Sequence, residues 1–180
     1  DIAPGNCLID QWVRSHTDKK FDENGKFARL GKVDNLILNQ AIDNFRINTF
    51  DKSLDIKDFD LSFVKGLSFE DGCATLTKFT AHLISDGIKK IELNNKLTPK
   101  HYLVCGGGRK NKSLINDINF FLNKKDLILK NIDNYDFDGD FIESQAFAFL
   151  AIRSFKGLPI SFPGTTGCKK ACIGGELIKN

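Results

Sequence analysis

The sequence predicts an α/β domain richer in helix than in strand, and three observations carry that expectation. Apolar residues recur at helical spacing through most of the 180 residues, the pattern of helices that bury one face. A short apolar run, Tyr102 to Cys105, stops at the triplet Gly106-Gly107-Gly108 and gives way to a further helical pattern. A second apolar run, Asp126 to Lys130, follows that helix, so strand, helix and strand fit into roughly thirty residues, the size of a βαβ unit with a parallel strand pair. With 41% hydrophobic residues and 16 Phe, the chain can build one real core.

Each element has its own reason. Asp1 to Asn6 reads as a turn because Pro4 fixes φ and Gly5 relaxes it; Leu8, Ile9, Trp12 and Val13 then follow helical spacing, with Asn6 as N-cap. Phe21 to Gly25 is a turn and Lys26 to Gly31 a short helix, and Asn35 to Phe45 shows the apolar face Leu36, Ile37, Leu38, Ala41, Ile42 and Phe45. Lys52-Ser53-Leu54-Asp55 lies in an irregular polar link where a Lys beside a Ser could bind an anion. Ser68-Phe69-Glu70-Asp71 has the spacing of a capping box, with Asp in place of Glu or Gln, and opens the longest helix, reaching about Leu93. His82 sits among the apolar positions of that helix, as a structural histidine would. Asn94 to Pro99 is a loop, and Ser113 to Leu122 carries Leu114, Ile115, Ile118, Phe121 and Leu122 on one helical face.

Later, Asp140 reads as an acidic N-cap with Glu143 at N3, opening a helix whose face holds Ala146, Phe147, Phe149, Leu150, Ile152 and Phe155 up to Gly157. Leu158 through Gly167 is expected as loop, and Ala171 to Ile178 as an edge strand broken by Gly174 and Gly175.

Composition excludes several functions. The net charge is only +3 and the Lys pairs are scattered among acids, which does not make a nucleic-acid footprint. No apolar run approaches the roughly 18 residues of a membrane span, and the N-terminus lacks a signal-peptide layout, so a soluble protein with no membrane partner is expected. Five cysteines at irregular spacing argue for a reducing compartment, and the cytoplasm is the expected location. Cys168-x-x-x-Cys172 lacks a second pair at zinc spacing, so no zinc is predicted. Asp136-x-Asp138-x-Asp140 would need Gly at 141 and Glu at 147 for a calcium loop, where the chain has Phe141 and Phe147. His16 and His101 have no nucleophile implied beside them, so no hydrolase triad is expected. The chain contains no Met and opens on Asp1 without a preceding strand or cap, which predicts a piece of a longer protein.

A strand that ends in glycines and turns into a helix is a nucleotide-site geometry, because glycine lets backbone approach a ligand and a helix N-terminus presents N–H groups to it. The same turn can serve tight packing. The triplet is not Gly-x-Gly-x-x-Gly, and no strand-end acid stands about 20 residues on in the required context, which weakens the dinucleotide reading. Asp1, just ahead of a Pro-Gly turn and a helix, could face the proton of a nucleophile while backbone N–H groups face phosphate; an ordinary entry to a surface helix uses the same residues.

Several blocks then fall into a recognisable order. They are Asp1-Ile2-Ala3-Pro4-Gly5-Asn6, Phe21 through Val33, Lys52-Ser53-Leu54-Asp55, Val104-Cys105-Gly106-Gly107-Gly108 with Asn111, Gly139-Asp140 with Glu143 and Ala146-Phe147-Ala148, then Leu158-Pro159 and Thr166-Gly167. Together they resemble the C-terminal half of the 1,6-anhydro-N-acetylmuramic acid kinases, of the superfamily that also holds sugar kinases, actin and the large heat-shock chaperones. The resemblance implies a ribonuclease H-like lobe with a small mixed sheet flanked by helices, residues 1–180 being the C-terminal lobe of a two-lobe kinase.

It further implies ATP and Mg2+ as cofactors, a small sugar as substrate, and conversion of the anhydro sugar with water to N-acetylmuramic acid 6-phosphate in peptidoglycan recycling. Carried over by position, Asp1 matches the general base, Gly5 and Asn6 lie near the phosphates, and Gly106, Gly107, Gly108 and Asn111 lie on the nucleotide side. Glu143, Lys52 and Ser53 are substrate-side candidates. The likeness also suggests a homodimer. Ile2 and Ala3 replace the family's Thr and Gly, Asp51 replaces a Pro, and Ile56 stands where Arg is frequent, which weakens any anion contact from that loop. The family's first phosphate loop belongs to the N-terminal half, so the chain alone is expected to be inactive. The alternatives are a kinase of the same superfamily acting on another sugar or a carboxylate, and a non-catalytic nucleotide-binding or interaction domain.

Overall fold

The computed structural model describes residues 2–45, 53–94, 101–123 and 128–178, without the side chains of residues 92–94 and 128. The architecture is α/β, mostly helical, with helices α1 (Cys7–His16), α2 (Lys26–Leu30), α3 (Asn35–Asn44), α4 (Phe69–Asn94), α5 (Lys112–Leu122), α6 (Ile142–Phe155) and α7 (Pro163–Thr166). Strands β1 (His101–Val104) and β2 (Ile128–Asn131) pair in parallel, His101 opposite Ile128 and Val104 opposite Asn131, with α5 between them in sequence. This is the expected βαβ unit; Asp126 and Leu127 of the expected second strand fall outside the described residues.

α4 is the centre. Over 26 residues it buries Cys73, Ala74, Leu76, Phe79, Ala81, Leu83 and Ile88 together with Thr75, Thr77, Thr80 and Ser85, which leaves it apolar or small on nearly every side. Its first half packs with Leu8, Ile9, Trp12 and Val13 of α1, Ala28 of α2, Leu38 and Ala41 of α3, and Phe59 and Val64 from the link between α3 and α4. Its second half packs with Leu114, Ile118 and Leu122 of α5, and Tyr102 and Leu129 extend that cluster to the sheet. Polar anchors fix the docking. Trp12 Nε1 donates to the Phe69 carbonyl at 2.9 Å, and Lys78 reaches Asp117 at 2.7 Å while lying over the Phe120 ring.

Local starts follow short-range chemistry. The buried Asp22 carboxylate accepts from Phe27 and Ala28 N–H at 2.7 and 3.0 Å and so holds the first turn of α2. Asp34 caps α3 through the Ile37 N–H. The capping box expected at α4 forms by half: Ser68 Oγ accepts from the Asp71 N–H, but the Asp71 carboxylate turns to the Lys32 N–H at 2.7 Å, tying α2 to α4 instead of closing the box.

The C-terminal part departs furthest from expectation. α6 begins after Phe141, which occupies the N-cap position without capping; Asp140 is drawn away by Arg109 and Lys110, so it is no N-cap and Glu143 has no capping role. Pro163 to Thr166 forms a short helix inside the expected loop, and the expected edge strand at 171–178 reduces to one bridge between Ser161 and Cys172. The loop at Asn94–Pro99 lies almost wholly outside the described residues.

Candidate functional site

Two helix N-termini meet beside the glycine triplet. At α1, Gly5 takes a left-handed φ of 56° and the Cys7 N–H donates to the Pro4 carbonyl at 3.0 Å. Asn6 occupies the N-cap position but does not cap. Its side-chain oxygen instead accepts from the Asn111 side-chain amide at 3.2 Å, across 105 positions of sequence. Asn111 acts twice, because its own oxygen caps α5 through the Leu114 N–H at 3.1 Å. Ser113 adds a third segment by donating to the Gly25 carbonyl at 2.8 Å. Helices of ten and eleven residues each carry partial positive charge at this end. The corner where they converge is therefore suited to an anion.

The triplet itself divides. Gly106 sits at φ 70°, ψ −177°, backbone that only glycine adopts readily. A Cβ at Gly107 would meet nothing within 4 Å among the described residues, and one at Gly108 would touch only Leu114 at 3.9 Å. Backbone conformation accounts for Gly106, whereas packing leaves Gly107 and Gly108 as bare main chain that a flat ligand could approach. Next to them, at the carboxyl ends of both strands, is a cavity of about 660 Å³ lined in part by Val104, Arg109, Ile115, Asn131, Asn134 and Tyr135. Open parallel sheets place ligands at that end.

The charge here is paired. Hydrogen bonds from Arg109 hold the Asp133 and Asp140 carboxyls below the usual carboxylate range, Lys110 adding to the effect at Asp140. Among the described residues no group of three or more His, Cys, Asp or Glu side chains could hold a metal ion.

The structure thus brings Gly5, Asn6, Gly106, Gly107, Gly108 and Asn111 to one corner. Glu143 is exposed on the first turn of α6, three residues beyond Asp140. Ser53 is exposed ahead of the turn at Ile56–Asp58, on a segment whose Leu54 packs on the first core. Asp1 and Lys52 lie outside the described residues. Sequence reasoning passed over Arg109 and Asp133. The available signal was an Arg directly after the glycines, with Asp133, Asp136, Asp138 and Asp140 crowded some thirty residues on.

The sequence model of the anhydro-N-acetylmuramic acid kinase family matches residues 1–180. A protein of Pelagibacter ubique named anhydro-N-acetylmuramic acid kinase is 58% identical over 185 residues, covering 100% of this chain and 48% of its own length. Proteins of the same name from Caulobacter vibrioides and Brucella canis are 38% and 37% identical, each covering 99% of this chain and 46% and 47% of their own lengths. The chain spans about half the length of the curated relatives it matches.

Proposed function

The chain belongs to the anhydro-N-acetylmuramic acid kinase family, and on that premise we propose that residues 1–180 form the C-terminal lobe of an ATP-dependent kinase in peptidoglycan recycling. The reaction converts 1,6-anhydro-N-acetylmuramic acid, with water, to N-acetylmuramic acid 6-phosphate. The observation that carries this reading is the Asn6–Asn111 contact, which sets two helix N-termini at one corner beside the bare Gly107–Gly108 backbone. Such a corner fits phosphates at the helix ends and a nucleoside against the glycines.

In this reading Gly5 and Asn6 hold the phosphate end, Gly106, Gly107, Gly108 and Asn111 bound the nucleoside, and the Asp1 carboxylate accepts the proton of the water that attacks the anomeric carbon. As the anhydro bond opens, the sugar's 6-oxygen takes the γ-phosphoryl group of ATP and ADP leaves. Glu143, Lys52 and Ser53 belong to the sugar side. Phosphoryl transfer also needs charge neutralisation at the phosphates, which Mg2+ supplies when bound. In this reading Mg2+ would be held largely through nucleotide oxygens and water. The other half of the relatives' length would complete the site, and the 180-residue chain by itself is expected to be inactive.

The test is product analysis with the protein at its relatives' full length, ATP and the anhydro sugar. The expected product carries a 6-phosphate and a new hemiacetal hydroxyl, and Asp1→Asn nearly abolishes turnover while ATP still binds. A phosphorylated sugar with its anhydro ring intact would sink the reaction, and full turnover by Asp1→Asn would remove the base. Nucleotide binding with no turnover would favour a non-catalytic domain.

A further inference from the structure

Arg109 follows the glycine triplet directly, yet its side chain is only 4% exposed, an unusual place for a guanidinium. Burial of that kind requires every donor to find a partner. Nε lies 2.9 and 3.1 Å from the two Asp133 oxygens, and Nη1 donates to Asp140 at 2.6 Å and to the Gly106 carbonyl at 3.0 Å. Nη2 is 3.9 Å from Asp138. The acceptors come from three places: the glycine turn, the turn after β2 and the loop that leads into α6.

Backbone contacts close the same ring. The Gly106 N–H donates to the Gly139 carbonyl at 2.9 Å, and the Gly139 N–H donates to Asp133 at 2.8 Å. Gly139 lies against the Arg109 side chain so closely that a Cβ there would collide with the guanidinium. With Nε and Nη1 engaged, Arg109 keeps only Nη2, 3.9 Å from Asp138, for any further partner. What it fixes is the path of Gly106, whose conformation is open to glycine alone and whose backbone freedom the clamp removes.

We propose that Arg109 is the positioning residue of the nucleotide end, its guanidinium clamping the Gly106 turn to Asp133 and Asp140 so that the Gly107–Gly108 backbone presents one fixed surface to the nucleoside. This rests on the nucleotide reading above. It goes beyond it by assigning the acidic segment 133–140, which the reaction does not use, to holding that surface.

The experiment uses the protein at its relatives' full length, with Arg109→Lys and Asp140→Asn compared to the parent. Lys keeps the charge but cannot span three acceptors; Asp140→Asn alters a half-exposed carboxylate and guards against a variant that fails to fold. Binding of MgATP by titration calorimetry and the KM for each substrate are read alongside Tm. The expected result is an ATP affinity and KM(ATP) worse by about tenfold or more, with KM for the sugar nearly unchanged. A fall in Tm with ATP affinity and KM(ATP) as in the parent would overturn the positioning role and leave Arg109 a fold residue. If the parent itself fails to bind MgATP, the nucleotide reading falls and this inference with it.

Discussion

α4 and α6 are both apolar helices, yet one is the most buried element of the molecule and the other buries no residue at all among those described. α4 has partners on nearly every side. α6 leaves Phe147 and Phe155 at 64% and 73% exposure, with Phe149 and Ile152 also open. Periodicity fixes that a segment forms a helix with apolar positions; it does not say what covers them. A helix apolar all round is ordinarily a buried one, and in α6 that face is turned outward, beside a shallow cavity lined by Phe147, Leu150, Phe155, Ile160 and Leu177.

The difference can be broken by substitution. Leu76→Ala, on a fully buried α4 side chain, is expected to cost about 3 kcal/mol of unfolding free energy. Phe147→Ala in the same 180-residue chain is expected to stay within about 0.5 kcal/mol. Urea melts of both decide it, and equal losses would mean that α6 is packed after all.

Thiol labelling sharpens the same contrast. Cys73 is buried on α4, and burial, helped by Asp22 and Glu70, pushes its thiol up to about 12. Cys168, past α7, is drawn below the ordinary thiol value, chiefly by a hydrogen bond with Thr166. Iodoacetamide with peptide mass mapping at neutral pH is expected to modify Cys168 well before Cys73 and to leave Cys73 untouched until the chain unfolds. Early alkylation of Cys73 would show α4 opening locally.

The smallest effect concerns His82 on α4, which packs edge-on against Phe121 with ring centroids 5.2 Å apart. Burial, opposed by Asp86 and aided by Lys89, lowers its pKa from the ordinary 6.5. A histidine with a depressed folded pKa contributes stability that is complete above 6.5 and is lost as pH falls through the folded value. Urea midpoints are therefore expected to drop modestly below that pH, with His82→Gln flattening the slope; identical slopes would remove His82 as the source.

Much of the packed region was legible in the sequence. The starts of α1, α2, α3 and α5, the apolar faces of α1 and α5 and the parallel strand pair rest on local periodicity and turn residues, which act within a few positions; on α3 the expected Leu36 faces solvent while Leu38 and Ala41 are buried. The misses are non-local. Asp140 carries the same chemistry for capping a helix as for pairing with a guanidinium, and only the fold shows that Arg109 claims it. Asn6 reads as an N-cap for the same reason, and Asn111 takes its oxygen from the far end of the chain. The candidate residues at the corner could be named individually from their blocks, but their meeting could not, since nothing in the sequence between Asn6 and Asn111 encodes a distance.

That meeting also sets an order of events. A bond across 105 positions closes a very long loop, and loop-closure entropy sets the expectation that it forms after the local helices and the βαβ unit have gathered. A partly folded chain can already own the glycine turn and the start of α5 while lacking the α1 end that completes the anion corner. The corner is a proof of completion: it exists only once α1, α4 and α5 have all found one another.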